Sequence, residues 1–357
     1  MPVPGARIPI ASGHAPASVS LVIMARLSVL DLSPICEGQT AADAFRNTRD
    51  LAQHVENWGY YRFWLAEHHN LPGIGSAATV VLICYVAGAT KIIRVGAGGI
   101  MLPNHAPLIV AEQFGTLESL FPSRIDLALG RAPGSDAATA RALRRYFDSA
   151  DAFPQDVLEL KSYFEPADSN RRVYAVPGSG LSVPIYLLGS STFSATLAAE
   201  LGLPFAFASH FAPDYLKPAL DVYRREFKPS SQLQQPYVIV GAGIYAANTE
   251  REARRIFSSA QLQMLNLIRN RPSKLPPPTE DVARMWSPDE RIALEHRTRY
   301  AIVGPPETVK RRAAAILAET AADELILTGQ IYDHGARLRS FEIAAEVLGG
   351  GNFQADC

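Results

Sequence analysis

A (β/α)8 barrel is the fold class that this sequence predicts, and three observations predict it. Short apolar runs recur eight times, each paired with a longer amphipathic stretch, the rhythm of a strand and its covering helix. The chain has 357 residues, more than the about 250 that such a barrel takes as one unit, so the surplus must be insertions or extensions. No G-x-G-x-x-G opens the first strand-to-helix turn, which demotes the rival doubly wound dinucleotide-binding sheet.

The elements follow in order. A strand over 27–30 (LSVL) ends in Asp31-Leu32-Ser33-Pro34, before a helix over 40–58. The second strand, 62–65 (RFWL), ends in Glu67-His68-His69-Asn70 and precedes an apolar helix over 76–89. The third, 94–97 (RVGA), runs into Gly98-Gly99 and then Met101-Leu102-Pro103-Asn104-His105, with a helix over 107–120. The fourth, 125–129 (IDLAL), ends in Gly130-Arg131-Ala132-Pro133-Gly134 and leads to one long helix over 136–164. The fifth, 184–188 (PIYLL), ends in Gly189-Ser190-Ser191 and a helix over 191–201. The sixth, 205–208 (FAFA), leads into Ser209-His210-Phe211 and a helix over 212–227. The seventh, 237–244 (YVIVGAGI), is followed by a helix over 249–270 and, later, another over 305–319. The eighth, 325–327 (LIL), ends in Thr328-Gly329-Gln330-Ile331-Tyr332-Asp333-His334 before a last helix over 335–348.

Residues 1–23, rich in Pro, Gly, Ala and Ser, read as a disordered leader, with Met24 as an alternative start and 24–357 as one domain. Two segments, 165–182 and 271–298, read as insertions, and the second, with its KLPPP start, as a lid disordered without ligand.

A formal net charge of -1 argues against a nucleic-acid partner, which selects for a basic surface. No apolar run approaches the roughly 18 residues that span a bilayer. Cys36, Cys84 and Cys357 are too few and too scattered for a disulfide framework or a zinc site. The composition is that of a soluble, cytoplasmic globular chain.

A barrel carries its active site at the C-terminal ends of its strands. Five of the eight histidines, His68, His69, His105, His210 and His334, follow strands and would converge on one mouth. Glu67-His68-His69 offers adjacent ligands, but neighbours at a strand end point apart, and no acid follows the strands near 129, 188, 208 or 244; we expect no metal. Gly189-Ser190-Ser191-Thr192-Phe193-Ser194 places small residues and hydroxyls at a helix N-terminus, a phosphate cradle that Arg131 would complete. The plainer alternative is that Ser190 or Ser191 caps the helix. Gly98-Gly99 suits a flat ligand pressed on the backbone, or is simply a bulge. His69, Met101, His105, His210, Phe211 and Tyr332 are candidates to line a substrate pocket. Met101, Pro133 and Phe211 point to a large apolar compound.

These residues resemble the bacterial luciferase-like family of flavin-dependent monooxygenases, in its stand-alone oxidoreductase subgroup. The matching runs are LSVLDLSPI, FWLAEHHN, GATKIIRVGAGGIMLPNHAPLIVAEQFGTLESLFPSRIDLALGRAPG, YLLGSSTFSATLAAELGLPFAFASHF and LILTGQIYDHGARLRSFEIAAEVL, most of residues 27–348. The resemblance implies a barrel that binds FMN, used as FMNH2 from a separate flavin reductase, with O2 as cosubstrate and a flavin hydroperoxide as oxygenating species. It implies His68 as the catalytic histidine and Glu67 as a flavin contact. It matches Gly98-Gly99 to a non-prolyl cis peptide against the ring, where Gly-Gly in place of the more usual Ala-Ala would loosen the site. Arg131, Pro133, Ser190, Ser191 and Ser194 would bind the cofactor.

The resemblance leaves a deazaflavin-dependent oxidoreductase as the nearest alternative, and a non-catalytic flavin-binding protein, usually with parts of the barrel deleted, as another. A sugar-phosphate isomerase or aldolase barrel would want a lysine or carboxylate base after a strand, and only Glu67 qualifies. Secondary-metabolite tailoring is the substrate setting we expect. The helices over 76–89 and 107–120 carry few charges on any face, which predicts a homodimer through them.

Overall fold

The computed structural model describes residues 25–132, 137–144, 151–168 and 172–349. The expected leader, Met24 and Pro133 lie outside them. Eight strands close a parallel barrel: β1 (Arg26–Asp31), β2 (Arg62–Leu65), β3 (Arg94–Met101), β4 (Ile125–Gly130), β5 (Ile185–Gly189), β6 (Phe205–Phe207), β7 (Val238–Ala246) and β9 (Glu324–Thr328). They neighbour in chain order, β6 pairs β7, and β9 fits between β7 and β1 to complete the ring.

Strand β8 (Ala301–Gly304) was not anticipated. Gly243 of β7 pairs with Thr328 of β9 and also with Ala301 of β8. One residue uses both edges, so β8 occupies the edge of β7 that three-residue β6 is too short to cover. Four residues behind a polar helix give too short an apolar signal to stand out.

The helices are α1 (Ala41–Asn57), α2 (Thr79–Ala87), α3 (Pro107–Leu120), α4 (Ala137–Ala142), α5 (Phe153–Phe164), α6 (Thr192–Leu201), α7 (Leu216–Glu226), α8 (Glu250–Ile268), α9 (Pro288–Arg297), α10 (Pro306–Thr320) and α11 (His334–Leu348). Local chemistry sets several ends. Thr40 and Asp43 form a capping box that starts α1, and Ser287 with Glu290 does the same for α9. The single helix expected over 136–164 is two, α4 and α5; Pro154 in the first turn of α5 favours a new start there.

The barrel has two cores. Outside the strands, apolar side chains pack against the helices; Phe63, Phe114, Phe153, Phe205 and Phe341 are fully buried there. Inside, Leu30, Trp64, Ala128, Tyr186, Ala206, Ile239 and Ile326 fill the bore. Below them, at the N-terminal ends of the strands, the filling turns ionic. Arg62 donates from Nη1 to Asp126 Oδ2 at 2.7 Å, and Trp64 Nε1 donates to the same oxygen at 3.0 Å. Arg94 donates to Asp126 Oδ1 from Nε at 2.9 Å and Nη2 at 2.6 Å. Arg62 Nε stands 2.9 Å from Glu324 Oε1, an ion pair without hydrogen-bond alignment, and Tyr237 donates to Glu324 Oε2 at 2.7 Å. Burial pushes the Asp126 carboxyl upward, but Arg62 and Arg94 outweigh it and hold it below the usual range.

The segment 271–298 is not the loose lid expected. Leu275 is fully buried; its N–H donates to Ile35 O at 2.9 Å, and its carbonyl accepts from Glu37 N at 2.9 Å. Next to it, α8 crosses the loop after β2: a Cβ on Gly73 would fall 2.5 Å from Gln263 Nε2 and 2.6 Å from Ser273 O. Helix α8 and its following strap therefore roof the loops after β1 and β2. No described helix is long and apolar enough to cross a membrane.

The ionic base yields a stability prediction. Arg62→Met removes the cation beside Glu324 and leaves Asp126 with Arg94 as its cation, and loss of one partner from such a buried network costs about 3–5 kcal/mol. Urea denaturation at neutral pH should show a loss of that order. Removing the exposed Arg254–Glu250 pair should leave the midpoint nearly unmoved.

Candidate active site

The C-terminal mouth is organised by Glu67. Strand alternation sends Glu67 and His69 to one side and His68 to the other. Glu67 is 1% exposed and receives donors from three segments. Met101 N donates to Oε2 at 2.9 Å, and Asn104 Nδ2 to Oε1 at 3.1 Å. The Nε2 atoms of His69 (2.8 Å) and His105 (3.0 Å) also meet its oxygens. Burial raises the affinity of Glu67 for a proton, yet His105, His69 and the Met101 N–H together keep its carboxyl below the usual value. Protein donors thus reach both oxygens of Glu67. Its structural role is to pin the end of β2 to the turn after β3. Among the described residues no group of three or more His, Cys, Asp or Glu is placed to hold a metal ion.

Between those pinned ends the Gly98–Gly99 peptide is cis. Glycine does not loosen this place. A Cβ on Gly98 would meet Leu30 Cδ1 at 2.8 Å and Trp64 Cβ at 2.9 Å; one on Gly99 would meet Ala128 O at 2.7 Å. The pair lets β3 sit tight against β2 and β4.

Across the mouth, His68 adjoins His210, which is half-buried after β6. Burial first, and the nearby His68 second, push the His210 imidazole down to about 4, so it is neutral at pH 7. Its Nδ1 has no hydrogen-bond partner and lies against Gly241, where a Cβ would come within 2.3 Å of it. Sequence reading singled out His210 but not Gly241; only the packed ring shows why a side chain is excluded there.

The serine segment lies at the start of α6. Ser191 occupies the N-cap position of α6, but its side chain makes no capping hydrogen bond. The first N–H groups of α6 therefore keep their capacity for an outside acceptor. Ser194 is buried against Gly189, and the Arg131 guanidinium lies 4.2 Å from the Phe193 ring centroid, stacked at the same helix start.

The remaining candidates spread out. Met101 is buried at the turn after β3. Phe211 is 52% exposed, with Arg297 over its ring at 5.8 Å. Tyr332 donates to Glu37 O at 2.9 Å, while its own carbonyl accepts from Cys36 Sγ at 3.4 Å, so it ties the β1 and β9 loops together. His334 pairs with Asp50 of α1 at 2.8 Å and does not join the other histidines. A separate cavity of about 340 Å3, lined by Asn248, Glu252 and Arg339 among others, opens beside α8 and α11 and holds none of these groups.

The profile of the luciferase-like monooxygenases matches residues 24–324. The chain belongs to this family. A luciferase-like monooxygenase of Escherichia coli is 52% identical over 321 residues, covering 90% of this chain and 96% of that protein. The N-acetyl-S-alkylcysteine monooxygenase of Bacillus subtilis is 38% identical over 239 residues, covering 65% of this chain and 71% of its own. Among solved structures, apo-MsnO8 superposes with a TM-score of 0.83 at 35% identity, covering 91% of this chain and 98% of that one. More distant structures share the fold alone: a diketocamphane monooxygenase component in complex with FMN (TM-score 0.67, 16% identity) and an F420-dependent alcohol dehydrogenase (0.65, 15%). As a family member, the protein is a flavin-dependent monooxygenase.

Removing the Glu67 carboxylate should unpin the mouth. Glu67→Ala leaves the buried Met101 N–H without an acceptor, a cost of roughly 2–4 kcal/mol at pH 7 by urea denaturation. Because the folded-state carboxyl is held below its ordinary 4.5, its contribution is complete above that value and drains away as pH falls through the lower folded one. Glu67→Gln should therefore flatten part of the acid limb of the stability profile.

Proposed function

We propose that this protein is an FMN-dependent monooxygenase that uses reduced FMN and O2 to oxygenate a small apolar organic substrate. The observation that carries the cofactor assignment is the uncapped start of α6 beside Arg131, which offers free N–H groups, hydroxyls and a fixed cation to a phosphate. When bound, reduced FMN supplies the electrons and activates O2.

The chain's own residues do the rest. Arg131, Ser190, Ser191 and Ser194 hold the phosphate. Gly98-Gly99, with no side chain to intrude, gives the ring a flat backbone surface. His68, at the end of β2, holds or returns a proton at its imidazole. Helix α8 and the strap through Leu275 cover part of the mouth and limit water there. The substrate class draws support from the N-acetyl-S-alkylcysteine monooxygenase relative, which makes thioethers the first compounds to test; a tailoring step on a secondary metabolite is a second setting of the same chemistry. The reductant comes from a separate flavin reductase, in the cytoplasm.

We also propose a homodimer through α2 and α3. These helices bury Leu82, Ile83, Val86, Val110, Ala111 and Phe114 inward, yet leave Val81 (67%), Ile109 (45%) and Leu120 (58%) exposed, a concentration of apolar side chains that marks an interaction surface.

Titration with FMN, FMNH2 and reduced deazaflavin, followed by fluorescence or calorimetry, tests the cofactor. Arg131→Met should weaken FMN binding about tenfold, the equivalent of one charge-assisted hydrogen bond of about 1.4 kcal/mol. His68→Ala should keep FMN binding and lose about 100-fold or more in oxygenation. Affinity for the deazaflavin alone would reassign the cofactor. Val81→Glu should shift the sedimenting species from dimer towards monomer with FMN binding intact.

A further inference from the structure

A cavity of about 40 Å3 lies between β7 and the underside of α8. His210 and Thr328, both at strand ends on the mouth, form its inner wall; Gly243, Phe257, Ala260 and Met264 form the rest. Helical spacing puts Phe257, Ala260 and Met264 on one face of α8, and small residues at 243 and 260 leave the space. The α8 side of the wall, Phe257, Ala260 and Met264, presents carbon, while His210 and Thr328 bring polar atoms to the inner side. Thr298, which also touches the cavity, donates its hydroxyl to Leu294 O at 2.8 Å, and the Tyr245 phenol is occupied by a backbone group of Gln330. His210 is uncharged at neutral pH. A void of this size, against the roughly 10–15 Å3 that one water needs, admits about three heavy atoms, and its α8 side favours apolar ones.

We infer that this slot receives the compact apolar end of the substrate, a group no larger than about a propyl chain, and that Ala260 and Met264 set the length it accepts. The inference rests on the monooxygenase reading for its activity arm. It adds a specificity device: the site selects by the size of one alkyl group, and two positions on α8 tune it. One methylene too many in a closed apolar pocket is typically worth 10–200-fold in discrimination.

Two measurements test this. The first uses protein labelled at the methionine methyl carbons; the sequence has five methionines, and loss of a signal in Met264→Ala assigns the one of interest. Xenon, and separately N-acetyl-S-ethylcysteine added to the FMN-loaded protein, should each shift the Met264 signal, and neither should do so in Ala260→Phe. The second follows turnover of N-acetyl-S-alkylcysteines from methyl to hexyl with FMNH2. Wild type should fall tenfold or more beyond propyl, Ala260→Phe should lose all but methyl, and Met264→Ala should extend the range by about two carbons. Identical length profiles in active wild type and variants, or thioether shifts unchanged by Ala260→Phe, would overturn the slot. Wild type that binds FMN and oxidises no member of the series would count against the thioether reading, while the xenon and thioether shifts would still decide the slot.

Discussion

The buried ion cluster at the base of the barrel is the constraint on which the rest depends. Arg62, Arg94, Asp126, Glu324 and Tyr237 come from or adjoin five strands, β2, β3, β4, β9 and β7, and meet at the base of the bore. A slip of one residue in any strand would turn its charged member to the apolar outer layer. Apolar packing alone tolerates near misses; two guanidiniums facing two carboxylates do not. The cluster therefore sets the register of the barrel from below. That register decides which residues emerge at the top, placing Glu67, Gly98 and Thr328 at the mouth.

A second fastening works at the other end. Asp31 accepts Arg337 Nη2 at 2.5 Å, Thr48 Oγ1 at 2.6 Å and Ser33 N at 3.0 Å, all buried, while Arg337 Nε donates to Gly329 O at 3.2 Å. It binds β1 and the β9 loop to α1 and α11 where the ring closes. With Glu67 doing the same between β2 and β3, the two carboxylates anchor loops that carry histidines. The chemistry thus sits on polar loops held by buried charge, not on loops held by apolar burial.

Much of this was legible in the sequence, because it rests on period and on residue type. Eight apolar runs gave the eight barrel strands to within a few residues; His68, Arg131 and the serines were visible because each lies at or just after a strand end, and Gly98-Gly99, read as following a strand, lies inside β3. Three things were not visible. Strand β8 is too short to carry a period. The saturation of Glu67 depends on donors 34 to 38 residues away, which no local pattern encodes. The need for glycine at 98, 99 and 241 arises from backbone and rings brought up from other strands. Sequence reading took Gly-Gly as a source of looseness; in the packed barrel it is the condition for closeness.

The strap over the mouth is held at Leu275 by main-chain atoms on both sides, Ile35 O and Glu37 N. Such a fastening is blind to side-chain identity. Phe257, Ala260 and Met264 of α8, which face the inner cavity, lie outside that fastening, so they can change in size or shape while the cover stays in place. Relatives descending from one ancestor can therefore exchange the molecule they accept by drift on a single helix face, with the cofactor cradle and the barrel beneath it untouched.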